Sequence, residues 1–340
     1  MKKLLLPALL LLIASGCGNT DEAVTSTDTE SAATEEKIEI YTTVYPLTYF
    51  TERIGGEHVN VQSIYPPGSN EHTFEPTQQD MIAMAEADAL FYIGFGLESF
   101  IESAKQTLSN ENVEFIATAE SIPEVELGEE PSHEEGIKEE ERDYEEGTED
   151  HDHDHAEETE ENHDHSYEVD PHVWISPVLS KQLAEAVKND LVERDSENAE
   201  EYIANYEQLI EELEELDTSF EDMAAAAEQK SFFVSHSAFG YWADAYDLNQ
   251  VAVAGLNSQD EPSQQELVEI VEQAEELNIE YIAFEQNVSS RLTEIIQKEI
   301  GAEAVQLHNL SVLTQEEIDA GETYFSLMQK NIEEMEKILQ

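Results

Sequence analysis

The sequence predicts an α/β fold with two lobes, each containing a small parallel sheet flanked by helices, and one long rigid helix joins the lobes. Three observations predict this architecture. Short apolar runs alternate with helical patterns in the first half of the chain, the same alternation recurs in the second half, and a long helical pattern lies between them. Alternating strands and helices indicate a parallel sheet, because parallel strands need long crossover connections.

The first half contains runs rich in β-branched and aromatic residues, which are typical of buried strands. These runs cover residues 38–45, 59–65, 89–93 and 113–117. Residues 78–86 and 97–108 carry apolar side chains at helical spacing between the runs. The first half is therefore predicted to form one parallel sheet with helices on its faces.

The second half repeats this arrangement. Its predicted strands cover residues 231–235, 250–253, 281–284 and 304–307. Helical patterns follow at residues 264–277 and 291–300, and a last amphipathic helix is expected over residues 322–339. A second parallel sheet is therefore predicted.

The segment between the halves, residues 196–229, contains neither Gly nor Pro. Large apolar side chains recur in it at steps of three or four, at Tyr202, Tyr206, Leu209, Leu213, Leu216 and Phe220. This spacing places them on one face of a helix. One rigid connector of this kind limits hinge motion, so we expect the lobes to close on a ligand through small movements.

These patterns divide the chain into five parts. They are a signal peptide at 1–16, a flexible tether at 17–36, a first lobe at 37–195, a linking helix at 196–229 and a second lobe at 230–340. The first lobe includes an acidic, His-rich segment at 124–169, which has no apolar pattern and is expected to form a disordered loop.

The amino terminus predicts export and a lipid anchor. Lys2 and Lys3 precede an apolar run over residues 4–13, and small residues then lead to Cys17, as in a secretory signal peptide with a bacterial lipobox. Cleavage would leave Cys17 as a lipidated amino terminus. We expect an extracytoplasmic protein anchored to the cell membrane, and the Ser/Thr-rich acidic tether favours a Gram-positive cell surface over a periplasm.

The charge and the cysteine count narrow the function classes. With 15 basic and 79 acidic residues the formal net charge is −64, which disfavours nucleic acid as a partner and favours cations. Cys17 is the only cysteine, so a metal site in the body of the protein must be built from His, Asp and Glu. We expect this body to be a monomer.

The eleven histidines fall into two sets. Six lie in the acidic segment, where imidazoles alternate with carboxylates, and imidazole suits Zn²⁺, Ni²⁺ and Cu²⁺. We interpret five of them as an auxiliary metal-collecting loop: His151, His153, His155, His163 and His165. The alternative is a solvated acidic insertion whose histidines have no role.

Of the five histidines outside that segment, His58 precedes a predicted strand and is interpreted as a surface residue, and the other four occupy positions where α/β folds bind ligands. His72, His236 and His308 follow predicted strands, and His172 precedes a helix that begins with Ser176 and Pro177. The carboxyl ends of parallel strands are the usual place for ligands in such folds. Three neutral imidazoles plus one further ligand form a tetrahedral site that suits Zn²⁺ better than Mn²⁺ or Mg²⁺.

Five short motifs resemble those of the zinc-binding lipoproteins of bacterial metal ABC importers, the cluster 9 substrate-binding proteins. They are Tyr65-Pro66-Pro67-Gly68 with Glu71-His72, Gly94-Phe95-Gly96-Leu97-Glu98, Asp170-Pro171-His172-Val173-Trp174, His236-Ser237-Ala238-Phe239-Gly240-Tyr241 and Glu261-Pro262-Ser263. The resemblance implies a Zn²⁺ carrier that docks on an ABC permease. It also implies that His72, His172 and His236 bind the metal, and a histidine at position 236 is typical of the zinc branch.

The fourth ligand is where the resemblance weakens. Many members take a carboxylate from a loop of the second lobe, but here that loop reads Leu307-His308-Asn309-Leu310-Ser311 and has none. Four substitutes remain open: Glu71, a water molecule, His308 and Glu285. We rank Glu71 and water above His308, and Glu285 is equally suited to the interface between the lobes.

Two other functions fit a three-histidine site. One is a zinc-dependent hydrolase, since three histidines and an open position also describe a catalytic zinc, but the chain lacks an H-E-x-x-H motif and a nucleophile elbow. The other is a surface adhesin that buffers metal without a transporter. We expect a binding protein and not an enzyme.

Overall fold

The structure is a computed structural model that describes residues 37–123, 125, 127, 169–288 and 291–340. The predicted signal peptide, Cys17 and the tether lie outside the described residues. The predicted metal-collecting loop also lies outside the described residues, with His151, His153, His155, His163 and His165. Within the described ranges, no helix combines the length and the apolar character needed to cross a membrane.

The first lobe contains a parallel sheet with the strand order β2-β1-β3-β4. Its strands are β1 (Ile38–Thr42), β2 (Val59–Ser63), β3 (Ala89–Tyr92) and β4 (Glu114–Ala117). The helices that connect them are α1 (Tyr45–Gly55), α2 (Gln78–Ala85) and α3 (Ile101–Thr107). β3 is buried along its whole length, as expected of an inner strand covered on both faces.

The second lobe repeats this topology, with the strand order β6-β5-β7-β8 and all pairs parallel. Its strands are β5 (Ser231–His236), β6 (Asn249–Ala254), β7 (Tyr281–Glu285) and β8 (Glu303–Leu307). Its helices are α6 (Gly240–Ala245), α7 (Gln264–Glu276), α8 (Arg291–Ile300), α9 (Gln315–Ala320) and α10 (Tyr324–Ile338) in chain order. The predicted α/β fold with two parallel sheets is confirmed.

The chain passes from the first lobe to the second through α4 (Pro177–Arg194) and the 28-residue helix α5 (Ala199–Ala226). The helix α5 begins later than the pattern over residues 196–229 predicts. It follows a turn in which Nδ2 of Asn198 donates a hydrogen bond to Oδ2 of Asp195. It also ends earlier, because the backbone N–H groups of the two residues before Lys230 donate to the carbonyl of Leu339. The end of α10 therefore replaces a last helical turn of α5.

Three helices were missed by the sequence analysis, and the strand predicted over residues 38–45 is too long. β1 ends at Thr42 because Pro46 lies in the first turn of α1, and Pro favours that position in a helix. Leu47, Phe50 and Ile54 form the buried face of α1. The other two, α6 and α9, have six residues each, too few for a periodic pattern.

Both sheets contain a switch point, which is a pair of neighbouring strands whose connecting segments leave in opposite directions. It lies between β1 and β3 in the first lobe and between β5 and β7 in the second. Ligands of α/β folds bind at the carboxyl ends of strands beside such a point. The topology thus marks the ends of β5 and β7 as a candidate site.

A buried stretch after β8, residues 309–313, runs between the lobes, and we call it the bridging segment. The backbone N–H of Tyr45 donates to the carbonyl of Ser311 (2.8 Å), and that of Gly68 donates to the carbonyl of Leu313 (2.9 Å). Tyr45 begins α1 and Gly68 lies in the loop after β2, so both donors belong to the first lobe. The bridging segment therefore ties the second sheet to the first lobe through its backbone.

Candidate metal centre

His236 is the last residue of β5 and is fully buried. The register of β5 and β7 pairs Phe233 with Ile282, and the same offset places His236 beside Glu285 at the end of β7. The Nδ1 atom of His236 donates to Oε1 of Glu285 at 2.7 Å. Strand pairing at the switch point thus fixes the ring and leaves Nε2 facing away from the carboxylate.

His172 is held by a local turn before α4. Oδ1 of Asp170 accepts hydrogen bonds from the backbone N–H of His172 (2.9 Å) and from its Nδ1 (2.7 Å). The helix that follows begins at Pro177, where the side chain of Ser176 accepts a bond from the N–H of Leu179. The turn at Asp170 and the first turn of α4 therefore orient the buried imidazole of His172.

His72 lies in the loop between β2 and α2. The side-chain oxygen of Asn70 accepts a bond from the backbone N–H of His72 at 3.0 Å. The amide nitrogen of Asn70 donates to Oγ of Ser258 in the second lobe at 3.3 Å. One asparagine therefore orders the His72 loop and connects it to the loop after β6.

The three histidines converge. The Nε2 atom of His172 lies 3.4 Å from that of His72 and 3.3 Å from that of His236. Within the part of the chain that the structure describes, these three form a group whose ligand atoms all lie within 4.8 Å of one another. Two of the rings donate Nδ1 to carboxylates, which is the usual arrangement of histidines whose other nitrogen binds a metal.

The charges around the cluster act differently on the three rings. Burial, together with the two neighbouring imidazoles, lowers the pKa of His72 to about 3. Burial alone would also lower the pKa of His236, but the Glu285 carboxylate outweighs it and raises this pKa. The ring of His72 is therefore neutral far into the acidic range, and a neutral imidazole has one nitrogen able to bind a cation.

Glu71 lies beside the cluster in a buried position, with 2 % of its surface exposed. Its Oε1 atom accepts a bond from Nδ2 of Asn309 (3.1 Å) and lies 3.9 Å from Nε2 of His72. Its Oε2 atom is buried and has no hydrogen-bond partner among the described residues. A buried oxygen without a donor is costly unless a cation or water reaches it.

The structure does not bring His308 into the cluster. Its Nδ1 accepts the backbone N–H of Leu310 at 2.8 Å, and its Nε2 lies 3.2 Å from Oε1 of Glu317. Glu285 is likewise engaged elsewhere, since it accepts bonds from His236, from Ser235 (2.8 Å) and from Asn309. Both residues support the loops around the histidines. The supporting contacts of Asp170 were not predicted, although an Asp two residues before a histidine is a sequence signal for them.

Known proteins share this sequence and fold. A family model described as "ZnuA: Zinc-uptake complex component A periplasmic" matches residues 40–338. The zinc-binding protein AdcA of Streptococcus pyogenes is 33% identical over 308 residues, which cover 90% of this chain and 57% of AdcA. The chain therefore spans little more than half the length of that relative. The high-affinity zinc uptake system protein ZnuA of Bacillus subtilis is 32% identical over 332 residues, covering 98% of this chain and 95% of that protein.

The fold comparison agrees with the sequence comparison. The crystal structure of the Zn(II)-bound ZnuA-like domain of Streptococcus pneumoniae AdcA matches with a TM-score of 0.68 and 30% identity, covering 89% of this chain and 99% of that domain. These findings confirm the resemblance that the sequence motifs indicate. Since the family model extends from β1 to the end of α10, the chain belongs to the family of the zinc-uptake complex component A, ZnuA.

Proposed function

We propose that this protein is an extracytoplasmic solute-binding protein that captures Zn²⁺ with His72, His172 and His236 and delivers it to an ABC-type importer in the membrane. One observation carries the proposal. Three Nε2 atoms converge at distances of 3.3 and 3.4 Å while the Nδ1 atoms of two rings are held by carboxylates. Hydrogen-bonded rings of this kind present a fixed nitrogen to a metal.

The donor set favours Zn²⁺ among divalent cations. Imidazole nitrogen suits zinc, whereas Mg²⁺ and Mn²⁺ prefer oxygen ligands in larger numbers. The lowered pKa of His72 keeps that ring neutral, and neutral imidazole is the form that binds metal. Three carboxylates around the cluster, Asp170, Glu285 and Glu71, supply the negative charge that a divalent cation requires in a buried site.

We assign the fourth position to Glu71, with a water molecule as the alternative. The support is its buried Oε2 atom, which lacks a hydrogen-bond donor. His308 and Glu285 are not assigned to this position because their polar atoms bond to other groups. A Glu71→Gln variant that keeps full Zn²⁺ affinity would favour the water.

Binding, and not hydrolysis, is the role we propose for the metal. Asp170 and Glu285 are both hydrogen-bonded to histidines, so neither is available to activate a water molecule. Delivery to an importer is inferred from the relatives, one of which is named as part of a high-affinity zinc uptake system. An anchor at Cys17 would keep the protein beside the permease at the outer surface, as a monomer.

A competitive titration of Zn²⁺ against Mn²⁺ tests the site. Replacing His72, His172 or His236 singly with Ala should lower the Zn²⁺ affinity more than about 100-fold, since loss of a supporting residue alone typically costs 10- to 100-fold. The matched control is His58→Ala, which removes a histidine that contacts Glu201 at 3.2 Å. Unchanged affinity in one of the three variants would remove that residue from the site.

Zinc uptake by cells tests delivery. Deleting the gene should slow growth and zinc accumulation in zinc-poor medium, and a copy with the three histidines intact should restore both. Uptake that does not depend on the gene would instead support a metal-buffering adhesin.

A further inference from the structure

Asn309 opens the bridging segment and is fully buried between two carboxylates. Its Nδ2 atom donates to Oε1 of Glu71 at 3.1 Å and to Oε2 of Glu285 at 2.9 Å. Its Oδ1 atom accepts from the backbone N–H of Ser311 (3.1 Å) and from the hydroxyl of Ser311 (2.8 Å). These donors fix the amide, because a flipped amide would turn Nδ2 toward two donors and Oδ1 toward two carboxylates.

The backbone of Asn309 is fixed as well. Its carbonyl accepts the indole N–H of Trp174 at 2.7 Å, and Trp174 belongs to the turn that follows His172. One residue of the second lobe therefore contacts a neighbour of each of the three histidines. Glu71 is adjacent to His72, Glu285 holds His236, and Trp174 lies two residues after His172.

The contact with Asn309 decides what Glu71 offers to an ion. One carboxylate oxygen, Oε1, is held by the amide, and the other, Oε2, is buried without a partner. A carboxylate held in this way can give an ion one oxygen more easily than two. One oxygen with three imidazole nitrogens makes four ligands, the number that zinc takes in proteins. Two oxygens would move the site toward the higher, oxygen-rich coordination of Mn²⁺.

We propose that Asn309 is a positioning residue that sets the preference of this site for Zn²⁺ over Mn²⁺ by holding one oxygen of Glu71 and leaving the other free. The inference rests on the proposed function, since it assumes that the ion binds to the three histidines. Asn suits this position because its amide has two N–H groups, one for each carboxylate. An acid there would face two carboxylates, and an apolar side chain would remove the donor to Oε1 of Glu71 and to Oε2 of Glu285.

The experiment measures the Zn²⁺ and Mn²⁺ affinities of the full chain and of two variants. Asn309→Ala removes the side chain, and Asn309→Leu keeps its approximate size without an N–H donor or a new carboxylate if the first variant folds poorly. We expect the Zn²⁺ affinity to fall about 10- to 100-fold, the usual cost of losing a support of a metal ligand. We expect the Mn²⁺ affinity to fall less, so the ratio of the two affinities drops about tenfold.

A readout of coordination separates positioning from general damage. Co²⁺ bound by four ligands absorbs visible light strongly, and Co²⁺ with five or six ligands absorbs weakly. The parent protein should give the strong spectrum, and both Asn309 variants should give a weaker one. Placing Asn309→Ala in a Glu71→Gln background should change neither the affinity ratio nor the spectrum further, since the proposed effect passes through Glu71.

Ser311→Ala provides a control, because it removes one bond to Oδ1 of Asn309 and leaves both bonds to the carboxylates. Equal loss of Zn²⁺ and Mn²⁺ affinity with an unchanged Co²⁺ spectrum would overturn the role of Asn309. In that case the parent protein would still bind Zn²⁺ through its histidines and the proposed function would stand. If a variant without the three histidines still bound Zn²⁺ as the parent does, the proposed function itself would be overturned.

Discussion

The Nδ1 atom of His236 lies 2.7 Å from Oε1 of Glu285, and the two residues end neighbouring strands at the switch point of the second sheet. Both side chains are buried. Burial raises the pKa of Glu285, but the His236 ring outweighs that effect and lowers it. The pKa of His236 is raised by the same contact. The pair therefore favours an ionised carboxylate that accepts a hydrogen bond from Nδ1 of the ring while Nε2 faces the other histidines.

Glu285→Gln should weaken Zn²⁺ binding about 10- to 100-fold at neutral pH, because the ring loses its charged acceptor. The pH dependence should change too. Below its raised pKa, His236 carries a proton on Nε2 that zinc must displace, so the affinity of the parent protein falls as the pH drops through that value. Without the carboxylate, burial lowers the pKa, and the fall should begin at a lower pH.

Competition titrations between pH 8 and 5 measure this shift. Ser235→Ala is a useful companion, since it removes one donor to Oε1 of Glu285 and leaves the contact between the acid and His236. If the Zn²⁺ affinities of the parent and of Glu285→Gln fell over the same pH range, Glu285 would not be the group that raises the pKa of His236.

His72→Gln should make the metal-free protein less sensitive to acid. The pKa of His72 is about 3 in the folded protein and near 6.5 in the unfolded chain. Between these values the unfolded chain binds one more proton, so the free energy of unfolding falls as the pH drops. The slope from one such proton is about 1.4 kcal/mol per pH unit. Urea unfolding with a chelator at pH 7, 6, 5 and 4 should show a shallower decline in the variant.

His58→Gln is the control for this measurement, because it removes a histidine outside the cluster. A decline that is equally steep in the parent and in His72→Gln would mean that His72 is not held neutral by its neighbours.

Local signals in the sequence predict much of the fold. Alternating strands and helices indicate the parallel sheets because each pattern reflects burial over a few consecutive residues. His236 could be placed at the carboxyl end of a strand for the same reason, since it directly follows a run of buried residues. The helix α1 was missed because its Pro46 follows an unbroken run of residues with high strand propensity, from Ile40 to Tyr45. Short helices such as α6 and α9 give too few turns for a period.

The neighbours of the histidines could not be predicted in the same way. The contact between Asn309 and Glu71 joins residues 238 positions apart, and the loops that carry them have no periodic pattern. In the sequence, the loop after β8 is distinguished only by His308 and by the absence of a carboxylate. The hydrogen-bonding role of its amide depends on how the bridging segment meets the first lobe, and this is a property of tertiary packing.

Deleting residues 129–168 should reduce the number of Zn²⁺ ions bound per chain while the tightest binding step keeps its affinity. Alternating imidazoles and carboxylates collect cations loosely, whereas the cluster of His72, His172 and His236 is built from residues outside this range. Metal analysis after dialysis and calorimetric titration measure the two quantities. A variant in which the histidines of this segment are replaced by Asn separates the contribution of the imidazoles from that of the carboxylates. Loss of the tight step on deletion would show that the segment completes the site.

Gly240→Ala tests whether the orientation of His172 depends on the second lobe. Gly240 begins α6, and a Cβ atom added there would lie 3.0 Å from Oδ2 of Asp170, closer than ordinary contacts allow. The carboxylate must therefore move by a few tenths of an ångström. Its other oxygen, Oδ1, holds both the backbone and the Nδ1 atom of His172. The hydroxyl of Tyr241 donates to the carbonyl of Asp170 at 2.7 Å and limits how far this turn can retreat.

We expect Gly240→Ala to lower the Zn²⁺ affinity several-fold, up to about tenfold, with little change in the thermal unfolding of the metal-free protein. The effect should be smaller than that of Asp170→Asn, which leaves the ring of His172 with an uncharged partner. Gly255→Ala is the matched control, because a Cβ atom there would meet its nearest neighbour, Cβ of Asp260, at 3.4 Å. Equal Zn²⁺ affinities for Gly240→Ala and Gly255→Ala would mean that Asp170 can shift without turning His172 away from the cluster.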